Sequence, residues 1–340
     1  MKITAEDRIK GCYFGGAIGD ALGWPVEFMT RDQIGDSYGP GGIKELQLNH
    51  RGKAEISDDT QMTLFVAEGL TNAKRLKWPI TQTVREAIIK WGEATQNDQN
   101  FEYSHARAMD QLLDFEELYA RRGPGRTCIS AIKNGAWGTP DEQINESKGC
   151  GGVMRAAAAG LLEKPVRAFY HGTLQAAMTH GHPSGHFAAG AFAMIISYLM
   201  GGLNTRQAAE SILSYMISLK EPGMAEVIHS LSRALGINGK EQGYEGLRFL
   251  GEGWVAEEAL AIAVFCALEH QDSYEDGIRL AVNHSGDSDS TGAMAGQLLG
   301  AHLGYEKIPT RWTEVIEARS AIEMISRKTI EVTSWREAEG

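Results

Sequence analysis

The sequence predicts an all-α fold, one compact orthogonal bundle of helices forming a single domain over residues 1–340. Two observations carry that prediction. Small and apolar residues recur at three- and four-residue steps through most of the chain, and sustained period-two alternation is absent. No solenoid-type repeat and no linker-like stretch divides the run. A composition of 43% hydrophobic and 23% charged residues is that of a globular chain with ample material for a core.

Taken in order, residues 6–23 read as a helix in which Ile9, Cys12, Tyr13, Gly16 and Ala17 share a face, small enough there for close helix packing. Gly23 and Pro25 end it and leave Glu27 in a loop among large apolar neighbours, a setting that raises a carboxyl pKa and suits a general acid or base. A turn-rich connector over 38–42 follows. Helices are expected over 60–70, over 81–91 with Val84, Ala87, Ile88 and Trp91 on one face, and over 104–121. The polar Asn97-Asp98-Gln99-Asn100 reads as a loop between two of them. Gly149-Cys150-Gly151-Gly152-Val153-Met154-Arg155 precedes an alanine-rich helix, so bare backbone N–H groups there would suit phosphate or sugar oxygens. Further helices are expected over 185–201, 205–219, 224–235, 254–269, 273–282, 291–303 and 310–325, with 328–340 as an extended or frayed tail.

Two acidic clusters stand out, Ser57-Asp58-Asp59-Thr60 and Asp287-Ser288-Asp289-Ser290, each at the predicted opening of a helix. Asp and Ser are common N-caps, and acidic first turns complement the helix dipole. Carboxylates set side by side also repel unless a cation or proton intervenes. Neither cluster fills a six-oxygen shell alone, but together they offer donors for a pair of hard cations, Mg²⁺ or Mn²⁺. That places a dinuclear site at the centre of the predicted bundle. The DDxxD spacing of isoprenoid-synthase-like helical enzymes is not met by Asp58-Asp59-Thr60-Gln61-Met62.

His180, His182 and His186 lie within seven residues, yet Pro183 and Gly185 break the register that would bring them onto one helix face for zinc. The four cysteines have no CxxC spacing and fit buried thiols in a reducing compartment. A net charge of −11 argues against nonspecific binding to nucleic acid or anionic membrane. The N-terminus lacks an apolar signal core, and the apolar run over 187–200 is too short to span a bilayer, so a cytoplasmic protein is expected.

In this order and at these separations, Gly19-Asp20-Ala21-Leu22-Gly23 with a following Glu27, Ser57-Asp58-Asp59-Thr60, the glycine motif ending in Met154-Arg155, Thr179-His180-Gly181-His182 and Gly286-Asp287-Ser288-Asp289-Ser290 resemble the ADP-ribosylglycohydrolase family, nearly end to end. The resemblance implies a hydrolase that cleaves the bond between ADP-ribose and an acceptor, either an ADP-ribosylated protein or an ADP-ribose derivative. It implies two divalent cations held by Ser57, Asp58, Asp59, Asp287, Asp289 and Ser290, with Glu27 as the carboxylate of a flexible loop. ADP-ribose contacts transfer to Gly149, Gly151, Gly152, Met154 and His180. Ser285 and Ser290 stand where the family usually has glycine and commonly threonine, the latter preserving a hydroxyl. Members acting on arginine linkages often carry Asp-x-Gly where this chain has Asp98-Gln99-Asn100. Asp98 is counted with the catalytic candidates, while that departure leaves its role and the linkage preference open. Bottom-up chemistry agrees, since cleavage at the anomeric carbon needs ribose hydroxyls oriented, a water placed and a proton managed.

Overall fold

Two helices from opposite ends of the chain lie antiparallel at the heart of the structure, and glycine lets them touch backbone to backbone. The computed structural model describes residues 3–96, 111–237 and 239–335. Among these, sixteen α-helices follow in order: α1 (Ala5–Gly23), α2 (Arg31–Tyr38), α3 (Asp58–Leu76), α4 (Ile80–Gln96), α5 (Arg126–Asn134), α6 (Ala157–Leu162), α7 (Pro165–Ala177), α8 (Pro183–Met200), α9 (Thr205–Leu219), α10 (Ala225–Ile237), α11 (Gly243–Leu247), α12 (Ala256–Glu269), α13 (Tyr274–Val282), α14 (Ser288–Leu303), α15 (Thr310–Thr313) and α16 (Arg319–Val332). Isolated bridges occur, but the described residues contain no strand. The all-α expectation is met.

A Cβ at Gly11, Gly15 or Gly19 of α1 would overlap the carbonyl oxygen of Gly300, Gly296 or Gly292 of α14, and the reverse substitutions collide in the same way. Each helical glycine costs roughly 1 kcal/mol of propensity relative to alanine, about 6 kcal/mol for these six. Close backbone contact and the dispersion it brings offset that cost. Side chains on α1, α8, α12 and α14 are buried almost all round, which marks them as interior helices. α3 and α4 pack together on one side, with Val84, Ile88 and Trp91 fully buried.

Several expectations are corrected. Within 104–121, the described part forms two short 3₁₀ turns, Gln111–Asp114 and Glu116–Tyr119, rather than a helix. The helix expected over 310–325 is broken at Ala318, whose φ is 54°. Val315 and Glu317 exchange backbone hydrogen bonds with Ala54, and that pairing pulls the chain out of helix. The tail is not frayed through its described part, because α16 continues to Val332 and Trp335 Nε1 donates to the carbonyls of Gly160 and Glu163 at 3.3 and 3.2 Å. Pro183 starts α8 at its first turn, where a missing N–H costs nothing.

Candidate active site

α1 ends at the acidic centre and α14 begins there. Asp20, wholly buried near the end of α1, accepts hydrogen bonds from the backbone N–H groups of Ser57 and Thr60 and from the Thr60 hydroxyl. It thereby fixes the first turn of α3. Ser57 caps that helix, its Oγ accepting from the Asp59 N–H at 3.2 Å. Asp58 Oδ2 accepts from the Gly125 N–H at 3.2 Å. Asp59 Oδ1 is buried with no hydrogen-bond partner among the described residues.

From the far end of the chain, Asp287 N-caps α14 and Asp289 lies in its first turn. Gly286, with φ 127°, makes the preceding turn where a side chain would meet the Glu252 backbone. One ligand atom each from Glu27, Asp287 and Asp289 lies within 4.8 Å of the others. Phe28, beside Glu27, has φ 67° and stacks on Trp254 with ring centroids 5.1 Å apart.

Burial, and then neighbouring carboxylates, raises these acids. Asp58, Asp59 and Asp289 are pushed well above the ordinary carboxylate range, Glu27 up to about 8, and Asp20 up to about 6 by burial against the hydrogen bonds from Ser57 and Thr60. So much packed negative charge, with one buried oxygen left unpartnered, fits a hard cation. The donor set is therefore a potential metal-binding cluster.

The glycine motif reaches the same centre. The Cys150 thiol donates to Asp287 Oδ2 at 2.8 Å, and burial beside that carboxylate pushes its pKa well up, keeping it a thiol. Ser290 Oγ lies 3.5 Å from the Cys150 sulfur and 3.8 Å from the Met154 sulfur. Residues Cys150–Gly152 form a 3₁₀ turn, and α6 begins only at Ala157, so the motif is not the N-terminus of that α-helix, contrary to the expectation from sequence. The His180 ring borders the turn; a Cβ on Gly151 would meet its Cε1 and Nε2 at 3.2 and 3.3 Å. His182 caps α8 through Nδ1, and His186 packs edge-on against Phe187.

A family model for ADP-ribosylglycohydrolase matches residues 1–339. The chain belongs to the ADP-ribosylglycohydrolase family. This glycohydrolase is 29% identical over 335 residues to an ADP-ribosylarginine hydrolase of Serratia proteamaculans, covering 95% of this chain and 78% of that protein. It is 24% identical over 326 residues to the ADP-ribosyl-[dinitrogen reductase] glycohydrolase of Rhodospirillum rubrum, covering 93% and 92%. A solved ADP-ribosylglycohydrolase-related protein complex shares the fold, with a TM-score of 0.66 at 23% identity over 98% of this chain and 99% of that one. The glycohydrolase is thus an enzyme of a family of ADP-ribosyl hydrolases.

Of the residues singled out in the sequence, the structure brings Glu27 to Asp287 and Asp289, places Asp58 and Asp59 within their electrostatic reach, and sets the glycine turn and His180 alongside. Asp98 lies outside the described residues. Sequence reasoning gives Asp20 no role of its own and reads Cys150 as a structural thiol. A lone acid among small apolar residues is the available signal for Asp20. No helix of the described residues is long and apolar enough to cross a membrane.

Proposed function

We propose that this glycohydrolase hydrolyses the bond joining ADP-ribose to a protein side chain, arginine favoured, with two divalent cations, Mg²⁺ or Mn²⁺, held by Ser57, Asp58, Asp59, Asp287, Asp289 and Ser290. The observation that carries the reading is the meeting of Glu27, Asp287 and Asp289 within 4.8 Å beside the glycine turn. The arginine preference rests on the Serratia relative, an ADP-ribosylarginine hydrolase. When bound, such cations orient the ribose diol and lower the pKa of a coordinated water.

The chain's own residues supply the rest. The backbone N–H groups of Gly151 and Gly152 take diphosphate oxygens, and Gly149, whose own N–H donates to the Ser147 hydroxyl, His180 and Met154 border them. Glu27, carried on a loop beside Asp287 and Asp289, gives and takes the proton at the anomeric linkage. Asp20 works at one remove, keeping Ser57 and Thr60 in place. Four unpaired cysteines fit a reducing cytoplasm.

The test is incubation with defined ADP-ribosylated arginine and serine peptides in Mg²⁺ or Mn²⁺, following free ADP-ribose by chromatography. Release from the arginine peptide, abolished by chelator, is expected. No release from any peptide with either metal present would end the proposal.

A further inference from the structure

Arg155 is fully buried, and none of its hydrogen-bond partners is a carboxylate. It donates to Gln175 Oε1 at 2.8 Å, to the Gln175 carbonyl at 3.1 Å, to Thr179 Oγ1 at 2.8 Å, and toward the sulfurs of Met62 and Cys128. A buried guanidinium with no carboxylate bonded to it, and Asp58 acting on it only through space, is costly, so its contacts call for a functional explanation. Two of them lead to the glycine turn. Gln175 Nε2 donates to the Gly152 carbonyl at 2.7 Å, and Thr179 Oγ1 lies 2.8 Å from His180 Nδ1.

The Thr179 hydroxyl has one hydrogen and two lone pairs. Arg155 occupies a lone pair, and the hydrogen is left with His180 Nδ1 at 2.8 Å, the Ala176 carbonyl at 3.4 Å and the Cys128 sulfur, a weak acceptor. The short contact to nitrogen wins, and the guanidinium charge also turns the O–H dipole away from itself, toward the imidazole. In a neutral imidazole whose Nδ1 accepts, the proton sits on Nε2. Burial, and then Arg155, push the His180 pKa down to about 3, so the ring is neutral at working pH. Nε2 bonds none of the described residues and borders Gly149 and Gly151.

We propose that Arg155, acting through Thr179, holds His180 as its Nε2–H tautomer, so that an N–H donor faces the 149–152 turn. Arg155 and Thr179 are positioning residues in this scheme. With the Gly149 and Cys150 N–H groups donating to Ser147 Oγ and the Trp254 carbonyl, the turn offers ligands those of Gly151 and Gly152, which want acceptor oxygens; an Nε2 lone pair there would repel the same oxygens that an Nε2–H attracts. That the oxygens belong to the ADP-ribose diphosphate or its adjoining ribose rests on the function proposed above.

The experiment is two-bond ¹H–¹⁵N correlation on histidine-labelled, ligand-free protein, with His180 assigned by loss of its signals in His180→Gln. The Nε2–H pattern is expected in the wild type. An Nδ1–H pattern overturns the proposal. Thr179→Val should move His180 toward the Nδ1–H form and weaken ADP-ribose binding about tenfold, and Thr179→Ser should restore both. An unchanged tautomer in Thr179→Val also overturns it, and the wild-type spectrum decides alone if that variant does not fold. ADP-ribose affinity unmoved by His180→Gln would instead strike the ligand reading of the turn, leaving the tautomer result standing.

Discussion

Replacing Asp289 with asparagine should make the metal-free protein more stable while destroying its response to metal. The substituted amide keeps an oxygen to accept the Ser290 N–H, which Asp289 Oδ1 now takes at 3.0 Å, so local geometry survives. What disappears is a charge whose carboxylate neighbours lie within 4.8 Å. At an effective dielectric of ~20, two unit charges at that separation repel by about 3.5 kcal/mol. Partial protonation of these carboxyls, whose pKa values burial raises, relieves part of this in the wild type, leaving a gain of about 1–3 kcal/mol. An unfolding entropy of roughly 2.1 cal/mol/K per residue over 340 residues makes 1 kcal/mol worth about 1.4 °C, so Tm should rise by about 1.5–4 °C in chelator. In Mn²⁺ the order should reverse, because the wild type gains binding free energy that the variant cannot. Differential scanning fluorimetry with and without Mn²⁺ reads both. A variant that melts below wild type in chelator, or that Mn²⁺ still stabilises to the wild-type extent, refutes the reasoning.

Other outcomes follow from the same geometry. Metal-free wild type should melt lower at pH 8 than at pH 7: a carboxylate with a raised folded pKa stabilises fully below its unfolded value and loses that contribution as pH rises through the folded one, which for Glu27 is about 8. The buried histidines, lowered instead, have finished acting once pH exceeds roughly 6.5, so a higher Tm at pH 8 would contradict the carboxylate account. Glu27→Gln should cut kcat by roughly a hundred- to ten-thousand-fold with ADP-ribose affinity retained, checked by steady-state kinetics and calorimetry; lost affinity at full rate would make Glu27 a positioning residue. Gly151→Ala should weaken ADP-ribose binding about tenfold with Tm little changed, since its Cβ meets side chains alone, the His180 ring at 3.2 Å and the Cys128 sulfur at 3.4 Å. Gly19→Ala, whose Cβ would overlap the Gly292 carbonyl, should cost more than about 3 kcal/mol of stability, read by denaturant melts.

Much of the helical order was legible because it is local. Val84, Ala87, Ile88 and Trp91 announce the buried face of α4 from spacing alone. α2 escaped notice despite its capping box of Thr30 and Gln33, since only Ile34 of its residues is buried and the apolar pattern is thin. The break at Ala318 was beyond reach for a different reason: it depends on pairing with Ala54, far away in sequence. Site chemistry divides the same way. Asp58-Asp59 and Asp287-Asp289 can be seen as acidic clusters, but the thiol of Cys150 on Asp287 crosses 137 positions and no spacing encodes it. Glu27 was legible as an unusual carboxyl, and its partners were not.

The glycine-lined contact between α1 and α14 makes the two ends of the acidic centre parts of one rigid gauge. Most helix pairs are spaced by side chains, which hop between rotamers and absorb small strains. Here the spacers are peptide groups, with no rotamers to change. Heating or compression should therefore be taken up first where side chains intervene, while the interval between the Glu27 loop and Asp287 holds its value. Sliding by one glycine step along the pair would move that loop about 6 Å, a full helical turn, so the contact admits discrete registers with nothing useful between them. An enzyme built this way loses its catalytic spacing all at once, on unfolding, instead of drifting away from it.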